Sequence, residues 1–120
     1  MTIKHIVLSG GGAAGFTIYG IIKQLTCKNY LDFKSIETIH ATSAGSIISI
    51  LLILSNTWEE LDDYMIKRPW DKLFDFNPSN LLNIWHNKGV LNENVFLEIY
   101  KPFFQVNDLD CNLTLKQLYD

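Results

Sequence analysis

No basic block, no paired-cysteine spacing and no bilayer-length apolar run occurs in the 120 residues. Each absence removes a class of function. Ten Lys and Arg stand against thirteen Asp and Glu, a net charge of −3 with no basic stretch. The electrostatic footprint of a nucleic-acid binder is therefore missing. Cys27 and Cys111 are the two cysteines, with no C-x-x-C between them. That excludes a disulfide framework and a zinc-type ligand set, and it suits a reducing compartment. Neither a metal nor a cofactor is expected. The first apolar run, Ile6-Val7-Leu8, ends at Ser9-Gly10 and lacks a secretory layout. The longest, Ile50 to Leu54 with Ile47 and Ile48 before it, falls short of the about 20 residues that span a bilayer. The expectation is an intracellular protein, cytoplasmic or peripheral to a membrane, with no transmembrane segment. There is no repeat, linker or low-complexity tract. A hydrophobic content of 48% is enough for a globular fold of one domain at most.

Taken in order, Ile3 to Ser9 reads as a first strand that runs into Gly10-Gly11-Gly12-Ala13-Ala14-Gly15. Phe16, Ile18, Tyr19, Ile22 and Leu25 then recur at three- and four-residue steps, the period of an amphipathic helix. Gly20 within it costs about 1 kcal/mol of helix propensity against alanine, and a close approach to the sheet would explain it. Lys28 to Ser35 is a polar connection. Ile36 to His40 reads as a second strand, and Ala44 to Leu54 as a helix apolar nearly all round, central to the core. Two strands joined through a helix imply a parallel pair with a right-handed crossover. Thr57-Trp58-Glu59-Glu60 is a capping box opening a helix to about Lys67, with Asp62 and Asp63 on a solvated face. Further on, aromatic residues from Trp70 to Phe104 are spread among asparagines and read as core or cap packing. Asn77-Pro78 marks a helix start and Gly89 a stop. Asn92 caps a helix that Pro102 should end. Thr114 to Gln117 is a second capping box.

Two stretches carry chemistry. Gly10, Gly12 and Gly15 fit G-x-G-x-x-G after a strand and before a helix, the pattern of a dinucleotide fold. That reading needs an acidic residue at the end of the second strand. The strand ends in Ile39-His40-Ala41 instead, and Glu37 is placed in its interior. The other stretch, Ala41-Thr42-Ser43-Ala44-Gly45, lies between strand and helix and approximates the nucleophile elbow G-x-S-x-G. Small residues are needed two before and two after the serine, because strand and helix nearly touch there. Alanine at 41 is the mildest departure from glycine. Ser43 also reads as a plain helix N-cap. Loops that follow neighbouring parallel strands lie side by side at their carboxyl edge. Read together, then, the glycine loop supplies oxyanion donors and Ser43 the nucleophile.

Strand, G-G-G-x-x-G, helix, strand, x-T-S-A-G-S resembles the start of the patatin-like phospholipase family. A looser likeness extends to Leu113-Thr114-Leu115-Lys116-Gln117-Leu118-Tyr119. The resemblance implies a three-layer α/β/α sandwich with a largely parallel sheet, residues 1–120 being the N-terminal part of that domain. It also implies acyl hydrolysis of lipid esters by a Ser–Asp dyad, with a lipid or a membrane surface as partner. Carried over by motif, Ser43 is the nucleophile and Gly10, Gly11 and Gly12 form the oxyanion loop. Ala13, Ala14, Gly15, Thr42, Ala44 and Gly45 complete the two motifs. Ala41 and Ala14 depart from the pattern, since the family usually has glycine and a cation there. The family's aspartate stands in D-G-G or D-G-A, and no aspartate in these residues is followed by glycine. The chain reads either as a fragment of such a hydrolase or as a form without its base, for which a catalytically inactive binding module is the alternative. A second alternative is a nucleotide-binding domain. His40, three residues before Ser43, is poorly placed as a base; a Ser–His–Asp triad would have to use His86. His5 reads as structural.

Overall fold

The computed structural model describes residues 2–73, 93–114 and 116–117. The β-branched start of the chain forms β1, His5–Leu8, and the second such segment forms β2, Thr38–Ala41. They pair in parallel, His5 opposite Thr38 through to Leu8 opposite Ala41. Between them runs α1, Gly15–Cys27, entered through a 3-10 turn at Gly12–Ala14. After β2 comes α2, Ala44–Leu54, which packs on both strands and on α1. The α/β class is as expected; a third layer is not seen among the described residues.

The second strand starts later than its sequence suggests. Asp32 accepts the Lys34 amide at 3.0 Å, the local bond by which aspartate competes with regular structure. A 3-10 turn at Phe33–Ser35 results, and the Ile36 amide still donates to Phe33 at 3.2 Å. Glu37 therefore precedes β2 instead of lying inside it. Its carboxylate pairs with Lys4 at 2.6 Å, at the amino ends of the strands. His5 Nδ1 lies 2.8 Å from Thr38 Oγ1 across the same ladder, a structural contact as expected.

Helix α2 buries Gly45, Ile48, Ser49, Leu51 and Leu52 but leaves Ile53 62% exposed. Its apolar circumference is thus only half used among the described residues. Gly20 does not touch the sheet, since a methyl group there would meet nothing within 4 Å. The close approach is made at Gly15, where a Cβ would lie 3.3 Å from Ala44 Cβ. Helix α3, Trp58–Lys67, opens on the expected cap, with Thr57 Oγ1 accepting the Glu60 amide at 3.2 Å. Its Asp62 is only partly solvated. The Tyr19 hydroxyl donates to one carboxylate oxygen and Lys23 pairs with the other. The Lys23 bond first, then the Tyr19 bond, holds the Asp62 carboxyl below its ordinary value. The same bond raises Lys23, while burial first and the Asp62 carboxylate second push the Tyr19 phenol far up. Trp58 packs its ring 6.0 Å from that of Tyr19.

The chain divides into two units, Met1–Ile66 and Lys67–Asp120. The second contains a short helix α4, Trp70–Leu73, and α5, Glu93–Val106. Pro102 was expected to end the latter but lies within it. A proline has no N–H for the carbonyl four residues back. Here that carbonyl belongs to Glu98, and Arg68 Nη2 donates to it at 2.8 Å. The same guanidinium sits 5.8 Å over the Trp70 ring. Ile99 and Phe103 are the buried side chains of α5. The helix ends one turn later, with Asp108 at φ 54. The second capping box is closed in both directions: Gln117 Oε1 accepts the Thr114 amide at 2.9 Å and Thr114 Oγ1 accepts the Gln117 amide at 3.3 Å. The signals at Asn77-Pro78, Trp85, His86, Gly89 and Asn92 lie outside the described residues.

Candidate active site

Ser43 sits between the end of β2 and the start of α2 with φ 50 and ψ −126. An N-cap serine takes an extended backbone and accepts an amide from the first turn with its side chain. Ser43 does neither: its side chain makes no capping hydrogen bond. Its carbonyl accepts from Ser46 at 2.9 Å and Ile47 at 3.3 Å as any N-cap's does, and the helix starts without the hydroxyl. A non-glycine residue in this region costs about 1–3 kcal/mol and persists only where its surroundings over-determine it.

The surroundings are tight because two glycines remove the methyl groups that would push the loops apart. A Cβ on Gly45 would lie 2.7 Å from the Ser9 carbonyl oxygen, 2.8 Å from that of Leu8 and 2.9 Å from Leu8 Cβ. A Cβ on Gly10 would lie 2.9 Å from Ser43 Cβ and 3.6 Å from Ser43 Oγ. The Thr42 amide continues the ladder by donating to Leu8 at 3.2 Å. The glycine loop after β1 and the serine turn after β2 are thus brought together at the carboxyl ends of adjacent strands. Ser43 itself is exposed.

Gly12 has φ 55 and Gly11 φ 157, and Gly11 accepts the Ala14 amide at 3.1 Å to close the turn into α1. Among the described residues, no hydrogen bond leaves the Gly10 or Gly11 amide. Ala13 and Ala14 are exposed on that turn, and Gly15 and Gly45 are buried beneath the motifs. Ala41 is exposed at the end of β2, so its extra methyl group has room. His40 is exposed on the same strand. No group of three or more potential metal ligands is found among the described residues. No helix among them is long and apolar enough to cross a membrane. What the sequence reading missed is the role of Gly10 as the residue against which Ser43 rests. The signal was present in the glycine pattern, but that pattern does not say which glycine touches which loop.

A sequence profile of patatin-like phospholipases matches residues 6–117. An uncharacterized protein of Acanthamoeba polyphaga mimivirus is 33% identical over 90 residues, which cover 75% of this chain and 30% of that protein. The chain therefore spans less than a third of that relative's length. No solved structure matches it. With both motifs inside the matched span and the two loops meeting at one sheet edge, the chain belongs to the patatin-like phospholipase family.

Proposed function

We propose that Ser43 is the nucleophile of a serine acyl hydrolase acting on lipid esters, with the Gly10, Gly11 and Gly12 amides as its oxyanion donors. The observation that carries this reading is the backbone of Ser43. It is held at φ 50 and ψ −126 against Gly10, with its hydroxyl released from helix capping. In such a reaction Ser43 Oγ attacks the ester carbonyl carbon and its proton passes to a base. The carbonyl oxygen becomes an oxyanion, which backbone amides and the start of α2 stabilise. The ester C–O bond then breaks, the alcohol leaves with the proton, and water hydrolyses the acyl-serine to a carboxylic acid. The base is the aspartate that family resemblance implies. No aspartate of residues 1–120 stands in the family's D-G-G or D-G-A motif, so in this reading the base is supplied by other residues. General-base assistance is typically worth about 10²–10⁴ in rate.

The test is turnover of a short-chain p-nitrophenyl ester. The whole protein hydrolyses it, Ser43→Ala loses about 10³-fold or more, and residues 1–120 alone give negligible turnover. Full activity in Ser43→Ala would overturn the assignment. An inert whole protein would favour a binding module, for which Ala41 and Ala14 are the departures to blame.

A further inference from the structure

We propose that Asp62 is a positioning residue for the reaction at Ser43: by holding Tyr19 and Lys23 it fixes the rotation of α1, and with it the aim of the Gly11 and Gly12 amides. This rests on the acyl-hydrolase reading above. The loop does little to set its own geometry. Gly11 and Gly12 stand at φ 157 and 55, and glycine has the weakest backbone preference of any residue. Among the described residues, no hydrogen bond leaves the Gly10 or Gly11 amide. The aim of the loop is therefore imposed from its two ends. At one end Gly10 rests against Ser43. At the other, the Ala14 amide donates to Gly11 at 3.1 Å and joins the loop to the first turn of α1. Loop and helix thus move as one piece.

What holds α1 is a contact at its start and a clasp further along. At the start, a Cβ on Gly15 would lie 3.3 Å from Ala44 Cβ and 3.7 Å from Ile48 Cγ1. That contact sets the distance between α1 and α2 but leaves rotation about the axis of α1 open. The buried side chains beyond it are Tyr19 and Ile22, and apolar packing of the kind Ile22 makes is non-directional. Tyr19 and Lys23 are four residues apart, on one face of the helix. Both bond to the Asp62 carboxylate of α3, one oxygen each. The Tyr19 ring is itself held 6.0 Å from that of Trp58. Directional bonds at two points of one face lock the rotation. Without them, a turn of about 20° at the Cα radius of about 2.3 Å shifts the backbone by about 0.8 Å. A misplacement of about 1 Å can cost about 10²-fold in rate. The Lys23–Asp62 pair is partly exposed, so its contribution to stability is modest. It stands two turns into α1, about 12 Å from Gly15 at 1.5 Å per residue. That exceeds the Debye length of about 8 Å at physiological salt, and its charges are paired, so its influence on the oxyanion is geometric.

The experiment measures kcat and KM of the whole protein on a short-chain p-nitrophenyl ester, and its inhibition by a trifluoromethyl ketone, whose carbonyl carbon takes the serine oxygen and leaves an oxyanion. Each variant is assayed where circular dichroism shows it folded. Asp62→Ala is expected to lower kcat about 10-fold or more, with KM within about twofold of the parent, and to weaken the ketone in proportion. Tyr19→Phe, which keeps the ring against Trp58, should lose several-fold, and Asp62→Glu should recover most of what Asp62→Ala loses. Tyr19→Phe added to Asp62→Ala should cost nothing more. A lowered melting temperature with kcat unchanged in both single variants, or a loss that falls on KM alone, overturns the proposal while leaving the hydrolase intact. Should Asp62→Ala not fold, Tyr19→Phe decides by the same split. A parent protein without Ser43-dependent turnover fails the reading and the proposal with it.

Discussion

Ser43 and Pro102 each break a rule of backbone structure, and their neighbourhoods respond differently. Pro102 removes a donor from the interior of α5, and Arg68 supplies another to the stranded Glu98 carbonyl at 2.8 Å. Ser43 holds a backbone that suits glycine, and no hydrogen bond from its side chain compensates it. What holds it is close packing, through the absent methyl groups of Gly10 and Gly45. Asn29 and Asp108 also have positive φ, 59 and 54, but each follows a helix, where a single left-handed residue is ordinary. A break mended on the spot serves the fold. A break that is enforced, with a hydroxyl left exposed at its tip, is the geometry that the proposed nucleophile requires.

The largest effect that would test this contrast is at Gly45. A methyl group there would have to open gaps against two carbonyl oxygens at 2.7 and 2.8 Å. Gly45→Ala is expected to lower unfolding free energy by about 2–3 kcal/mol, read from denaturant titration, and to lose turnover as the two loops separate. A neutral result would mean that the packing does not enforce the turn. Next in size is Pro102→Ala, which returns an N–H to the Glu98 carbonyl and should stabilise by about 1–2 kcal/mol. In its background Arg68→Met should cost less than it does in the parent chain. A double-mutant cycle with no coupling would show that Arg68 does not mend the proline. Ser43→Gly comes third. Relief of strain should raise stability by about 1 kcal/mol while activity is lost; a destabilised variant would argue that the turn is not strained.

The smallest effect concerns pH. Asp62 is held below its ordinary value by Lys23 and then Tyr19. Its contribution to stability is therefore present above the ordinary carboxylate range and is lost as pH falls through the lowered value. The pair is partly exposed, so the effect is modest. The difference in melting temperature between the parent and Asp62→Asn should shrink as the solution is acidified. A difference that grows instead would contradict the sign.

Much of the unit built from residues 1–66 was legible because its signals are local. A glycine run after a β-branched strand, an apolar helix behind a serine turn and the cap at Thr57 each depend on a few adjacent residues. The errors arose where distant groups decide. Nothing near Pro102 in sequence announces that Arg68 will support its helix. Asp62 reads as solvated until Tyr19 and Lys23 are brought beside it by α1. Gly20 looked like a packing glycine because the sequence does not say which side of α1 faces the sheet. At the site, the residue types were readable but their contacts were not. Ser43 as nucleophile and Ser43 as cap have the same letters, and the backbone torsions with the missing capping bond count against the second.

The ladder that ends at Leu8 opposite Ala41 has a consequence for chain length. Gly10 and Ser43 each stand two residues beyond that last pair, so the two loops leave the sheet in step. Adding or removing one residue between Leu8 and Gly10, or between Ala41 and Ser43, would put one loop out of step with the other. No side-chain replacement could restore it. The connection from Lys28 to Glu37 does not set that offset, although Leu31 within it is buried and Glu37 pairs with Lys4. Insertions and deletions should accordingly be better tolerated in the polar part of that connection than at either offset.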